Sequence, residues 1–175
     1  MSKRTPPPGP LVSLGRVSGA HGIRGALKVR ADADAATADP EVFIALGEVW
    51  LGGSSYRVLA AERPKTQVIL RLAGIDTRNQ AEALVGQTLE GDRRRFPPLP
   101  DGEYYWFQVL GLPVINVTDG AQLGRLEEII PTPAHDVYVV RQGEREVLLP
   151  AVEDVIVEIN LEEGLIKTAP PEGLL

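Results

Sequence analysis

The 175-residue chain has no cysteine, two histidines and one methionine. Without cysteine there is no disulfide, no thiolate metal site and no thiol nucleophile, which fits a reducing compartment. No apolar run approaches the ~20 residues a membrane helix needs. The opening "MSKRTPPPGP" carries positive charge with no apolar segment behind it. A secretory signal is therefore not expected, and the protein reads as cytoplasmic. Aromatics are scarce, with Phe 3, Trp 2 and Tyr 4. Yet Tyr104, Tyr105, Trp106 and Phe107 stand in a row within "DGEYYWFQVLG". On a strand, alternate side chains point to opposite faces, so one core cannot take all four.

Motifs for catalysis are missing as well. No G-x-S-x-G elbow occurs. The glycine-rich "RVSGAHGIRG" has neither the Lys-Ser/Thr of a phosphate loop nor the G-x-G-x-x-G of a dinucleotide turn, so turn geometry explains its glycines better. His21 and His135 are far apart in sequence, with no carboxylates at ligand spacing. Pairs such as Glu127/Glu128 and Glu162/Glu163 look like surface groups rather than a partly buried acid–base pair. No enzyme, metal or cofactor is expected.

Charge is split unevenly. Up to Pro100 there are 14 Lys+Arg against 10 Asp+Glu, a net +4; beyond it there are 4 against 14, a net −10. The acidic part is a poor surface for phosphates but suits a basic protein, whose approach an opposite field steers. In the basic part, Arg24, Lys28 and the run Arg93, Arg94, Arg95 are candidates for RNA contact. Solvated strand ends are the plainer explanation of the same residues.

Organisation follows from the pattern of apolar residues. Residues 1–10 read as a Pro-rich disordered tail. Strands are predicted in "LVSLGRVSG", "ALKVRAD", "EVWLG", "SYRVLAAER", "TQVILRLAG" and "QTLEGDRRRF". Among them "DTRNQAEALVG" has helical spacing, an N-cap at Asp76 or Thr77 and Gly86 past its end. "FPPLPDGE", residues 96–103, is the best linker. After it come "LPVINV", "QLGRLEEII", "DVYVVRQ", "REVLLP", "DVIVEIN" and "GLIKTAP", short strands with turn signals between them. The expected fold is mostly β: two small β-barrels in tandem, residues 11–95 and 104–175, with one short helix in the first.

Read in order, "LGRVSGAHGIRGALKV", "LAGIDTRNQAEALVGQTL", "LPDGEYYWFQVLGLPV", "LGRLEEII", "DVYVV" and "LLPAVEDVIVEIN" resemble the ribosome maturation factor RimM family. The resemblance spans nearly everything from Leu11 to Pro171. It implies a translation-factor-like barrel followed by a PRC-barrel domain. It also implies a non-enzymatic assembly factor in ribosome biogenesis and 16S rRNA processing. Such a factor binds the pre-30S particle, helps the head of the small subunit mature and contacts head ribosomal protein number nineteen. The family's adjacent tyrosines fall on Tyr104 and Tyr105, with Trp106 completing the motif. One loop departs from the family pattern: "PTPAHDVYVV" places His135 and Tyr138 where relatives have other residues.

Together these features lead to an expectation of a monomer that chaperones small-subunit assembly. Tyr104, Tyr105 and Trp106 would serve as the partner-binding site, an exposed pair at a backbone irregularity, with Phe107 turned to the core. The rival expectation is a direct rRNA-binding module acting through the basic first domain.

Overall fold

The computed structural model describes residues 9–175, which fall into two compact units divided between Glu103 and Tyr104. Most of the tail expected at the N-terminus, residues 1–8, lies outside the described residues. Pro10, assigned to that tail by composition, accepts a hydrogen bond from Arg93 N at 3.0 Å.

In the first unit the elements are β1 (Leu11–His21), β2 (Ala26–Ala31), α1 (Pro40–Leu46), β3 (Glu48–Leu51), β4 (Ser54–Glu62), β5 (Val68–Leu72), α2 (Arg78–Glu82) and β6 (Thr88–Asp92). The strands close into a barrel in the order β1-β2-β5-β4-β3-β6. Alternation drives it: Leu27 and Val29 on β2 are fully buried while Lys28 and Arg30 between and after them are exposed. Register shifts between Val17 and Gly19 and between Val58 and Ala60 add the local bends that closure requires.

Two helices stand beside this barrel, not one. The expected helix is α2, capped reciprocally: Thr77 Oγ1 accepts from Gln80 N at 3.2 Å, and Gln80 Oε1 accepts from Thr77 N at 3.1 Å. The additional helix, α1, starts at Asp39, whose Oδ1 accepts from Glu41 N at 3.0 Å, with Pro40 in its first turn. Gly47 ends it in the left-handed conformation (φ 70°), and Val42, Phe43 and Leu46 are buried.

The second unit holds α3 (Trp106–Val109), β7 (Pro113–Asn116), β8 (Gln122–Ile130), β9 (Val137–Gln142), β10 (Arg145–Pro150), β11 (Ile156–Asn160) and β12 (Leu165–Thr168). Its sheet has the order β10-β9-β8-β7-β12-β11, with β7 and β12 parallel and the other neighbours antiparallel. Val114, Leu126, Val140, Leu149 and Ile166 form the dry centre of this barrel-like unit. The mostly-β fold of two tandem barrel-like units is as the sequence predicts.

Candidate partner-binding site

The aromatic stretch is not a strand. Tyr105 is extended (φ −72°, ψ 142°) and the chain then turns into α3, a single helical turn closed by Leu110 N donating to Trp106 O at 2.9 Å. Gln108 fixes the entry, its Oε1 accepting from Tyr105 N at 3.0 Å. The expected irregularity at Tyr104–Trp106 is thus the start of a helix.

This corner sorts the four rings. Tyr104 and Trp106 are half-buried and pack against the core of the second unit. Tyr104 is also pinned by its hydroxyl, which donates to the carbonyl oxygen of Ile159 on β11 at 3.3 Å. Tyr105 and Phe107 stack on each other, centroids 5.2 Å apart and planes 7° from parallel. One expectation is corrected here. Tyr105 is only 1% exposed, so the tyrosines do not form an exposed pair.

A third tyrosine joins the cluster. Tyr138 faces inward, its register neighbours being Ile129 and Leu149, and it packs against the same core as Tyr104. Burial first, then the nearby charge of Asp136 and the Tyr104 hydroxyl, push its phenol above the ordinary value. Its role was not legible beyond its being unusual in its motif. The preceding loop is closed locally: His135 N donates to Thr132 Oγ1 at 3.3 Å, and the Thr132 hydroxyl donates back to His135 O.

Acidic groups flank the site. Beyond Ile159, Asn160 Oδ1 accepts from Glu163 N at 2.9 Å and shapes a turn that leaves Glu162 and Glu163 exposed. Glu158 is held below the ordinary carboxylate range by its bonds to Lys167 (2.7 Å) and Asn160 (3.1 Å). A second acidic group lies on the other face of β9, where Arg141 is shared by Glu146 (2.7 Å), Glu127 (3.3 Å) and Glu128 (3.7 Å). With Arg125 opposite Arg141 in register, two guanidinium groups stand against three carboxylates, which leaves that face net negative.

The candidate RNA residues do not come together. Arg24 and Lys28 are exposed at the β1–β2 turn and on β2. Arg93–Arg95 form a 3-10 turn next to Leu11, at the other end of β1. The strand between is 11 residues long, roughly 30 Å of extended chain. The run is also engaged: buried Asp92 accepts from Arg94 N at 3.0 Å and pairs with the Arg94 and Arg95 side chains at 3.6 and 4.0 Å, while Arg95 reaches Glu48 at 3.3 Å. Among the described residues no group of three His, Cys, Asp or Glu is placed to hold a metal ion, and no helix is long and apolar enough to cross a membrane.

A closed barrel in one unit, a mixed barrel-like sheet in the other and an aromatic corner where the second begins define a two-unit β protein. Residues 12–96 match the RimM N-terminal domain, and residues 106–174 match the RimM PRC barrel domain. The ribosome maturation factor RimM of Geobacter metallireducens is 42% identical over 170 residues, covering 94% of this chain and 95% of that protein. The RimM of Symbiobacterium thermophilum is 42% identical over 169 residues, covering 94% of each chain. That of Syntrophobacter fumaroxidans is 39% identical over 178 residues, covering 100% of this chain and 99% of its own. The chain belongs to the RimM family of ribosome maturation factors.

Proposed function

We propose that this protein is a non-enzymatic assembly factor in ribosome maturation, acting on the head of the 30S subunit by holding a basic ribosomal protein there, the nineteenth of the small subunit. Family membership supports the general role, since its members are named for ribosome maturation rather than for a reaction. The observation that carries the specific reading is the aromatic corner. Tyr104 and Trp106 are half-buried on a firm core, and Tyr104 is fixed by Ile159 beside the exposed Glu162 and Glu163. Preordered aromatic rings next to carboxylates suit a basic protein surface: the rings supply buried area at low entropy cost, and the charges steer encounter. Tyr105 contributes from beneath by stacking on Phe107 and setting the corner's shape. Residues 96–103 serve as the linker between the two domains, and the site of action is the cytoplasm.

The mechanism is binding energy applied to one arrangement of the partner, with no bond made or broken. The test is capture of the purified head protein by the full chain and by Tyr104→Ala and Trp106→Ala variants shown by circular dichroism to be folded. Truncating a hot-spot aromatic costs about 2 kcal/mol, close to thirtyfold in affinity. Wild-type capture by both folded variants would remove the site from this role.

A further inference from the structure

The outer face of the first barrel carries cations that its own fold does not compensate. Arg16 on β1, Lys28 and Arg30 on β2, Arg71 on β5 and Arg24 in the β1–β2 turn are all exposed. None of them forms an ion pair within 4.0 Å among the described residues. Register gathers them: Arg16 lies opposite Arg30, Lys28 opposite Ile69, and Arg71 two residues further along β5 on the same face. Like charges directly opposite on a sheet repel, so the face is primed for an anion.

Beside these cations is an open hollow of about 430 Å³. Its floor is low because Ala26 and Ala60 occupy the positions flanking Arg71 and Ile69. Ile23, 80% exposed, stands over it from the β1–β2 turn. That turn is held in place: Arg78 Nη1 donates to Gly22 O at 3.0 Å, and Gly25 lies so close to Ile75 that a Cβ there would be 2.3 Å from its carbonyl oxygen. The hollow is therefore preformed, lined by apolar residues together with His21, Arg24, Arg71 and one acidic residue, Glu62.

We infer that this face binds single-stranded RNA, with one unstacked base in the hollow and the flanking phosphates on Arg16, Lys28, Arg30 and Arg71. Single-stranded bases are recognised by stacking on His rings or guanidinium planes and by hydrogen bonds to their edges. Ile23 and Ile69 offer the apolar contact. The Glu62 carboxylate accepts only, so it favours a base with an exocyclic amine, such as cytosine, over uracil. A duplex keeps its bases stacked and cannot fill the hollow. The inference rests on the first unit alone and stands or falls separately from the role of Tyr104.

The test is fluorescence anisotropy of the full chain with labelled oligocytidine, oligouridine and an RNA duplex of equal length, across a range of salt. Oligocytidine should bind most tightly, with a preference over oligouridine of about fivefold or more. Arg30→Glu combined with Arg71→Glu should weaken binding and reduce the log–log salt slope by about 1.4, the value for two single-strand phosphate contacts. If charge reversal lowers the melting temperature, Arg30→Gln with Arg71→Gln tests the same point. Ala60→Leu, which fills the hollow, should weaken oligocytidine binding, and Glu62→Ala should erase its preference over oligouridine. Wild-type affinity and slope in the folded double variant, equal binding of the duplex, or an unchanged cytidine preference in both hollow variants would each overturn the inference.

Discussion

Tyr104 and Ile159, 55 residues apart in sequence, are joined by a hydrogen bond from the phenol hydroxyl to the carbonyl oxygen at 3.3 Å. The bond ties the first residue of the second unit to β11 and so sets where the aromatic corner begins. It is long for an O–H donor, which places its worth at the low end of the usual range. Tyr104→Phe should therefore lower stability by only about 0.5–1 kcal/mol in urea unfolding. The ring stays, so binding of the head protein should persist in Tyr104→Phe and fail in Tyr104→Ala. Equal loss in both would mean that the hydroxyl, not the ring, is the recognised group.

Tyr105 behaves differently because it is one of the largest fully buried side chains. Tyr105→Ala removes that volume and the stacked partner of Phe107, and should cost about 3–4 kcal/mol. Tyr105→Phe preserves the 5.2 Å stack and should cost less than Tyr105→Ala. Urea titration followed by circular dichroism separates the two. A folded Tyr105→Ala variant at wild-type stability would show that the stack does not support the corner.

Much of this architecture is legible in the sequence, for particular reasons. The strands alternate strictly enough to be placed, as Leu27, Lys28, Val29 and Arg30 illustrate. The helix α1 escapes because its short apolar run Val42–Leu46 does not distinguish a helix from a buried strand, although Asp39, Pro40 and Gly47 carry its start and stop signals. In the aromatic stretch the pairing of Tyr104 with Trp106 and of Tyr105 with Phe107 is correct even though the backbone is not a strand. The exposure is not legible, because burial of Tyr105 comes from tertiary packing. Arg93–Arg95 read as a free cationic run, since nothing local says that Asp92 is buried beneath them. The hollow is invisible in sequence because it depends on register between β2, β5 and β4, which brings residues 21–26 against residues 60–71.

Tyr138 provides a titration test of the inner side of the corner. Its phenol is raised above the ordinary 10.0 by burial first, then by Asp136 and Tyr104. The folded state therefore holds this proton more tightly than the unfolded chain does. Its contribution to stability is full below about pH 10 and is lost as pH rises through the higher folded value. Absorbance titration at alkaline pH should show a late-ionising tyrosine that is lost in Tyr138→Phe. Asp136→Asn should bring that ionisation down only part of the way, because burial is the larger cause. A full return to the ordinary value in Asp136→Asn would reverse this ranking.

The β1–β2 turn gives a prediction in which two glycines in the same backbone region differ. Gly22 and Gly25 both have positive φ, 69° and 85°. At Gly22 a Cβ would meet nothing within 4 Å, so Gly22→Ala pays only the left-handed cost, about 1–2 kcal/mol. Gly22→Asn should cost less, since asparagine tolerates that conformation. At Gly25 a Cβ would sit 2.3 Å from Ile75 O and 2.9 Å from Asp76 N, both backbone atoms that cannot swing away. Gly25→Ala should therefore exceed the left-handed cost alone and reach about 3 kcal/mol or more. It should also displace the turn that holds Ile23 over the hollow, weakening oligocytidine binding at temperatures where the chain stays folded. Thermal unfolding of the three variants gives the order: Gly22→Asn nearest wild type, then Gly22→Ala, then Gly25→Ala. If Gly25→Ala were as stable as Gly22→Ala, the turn would not be anchored on Ile75, and the hollow would have to form by movement of the loop.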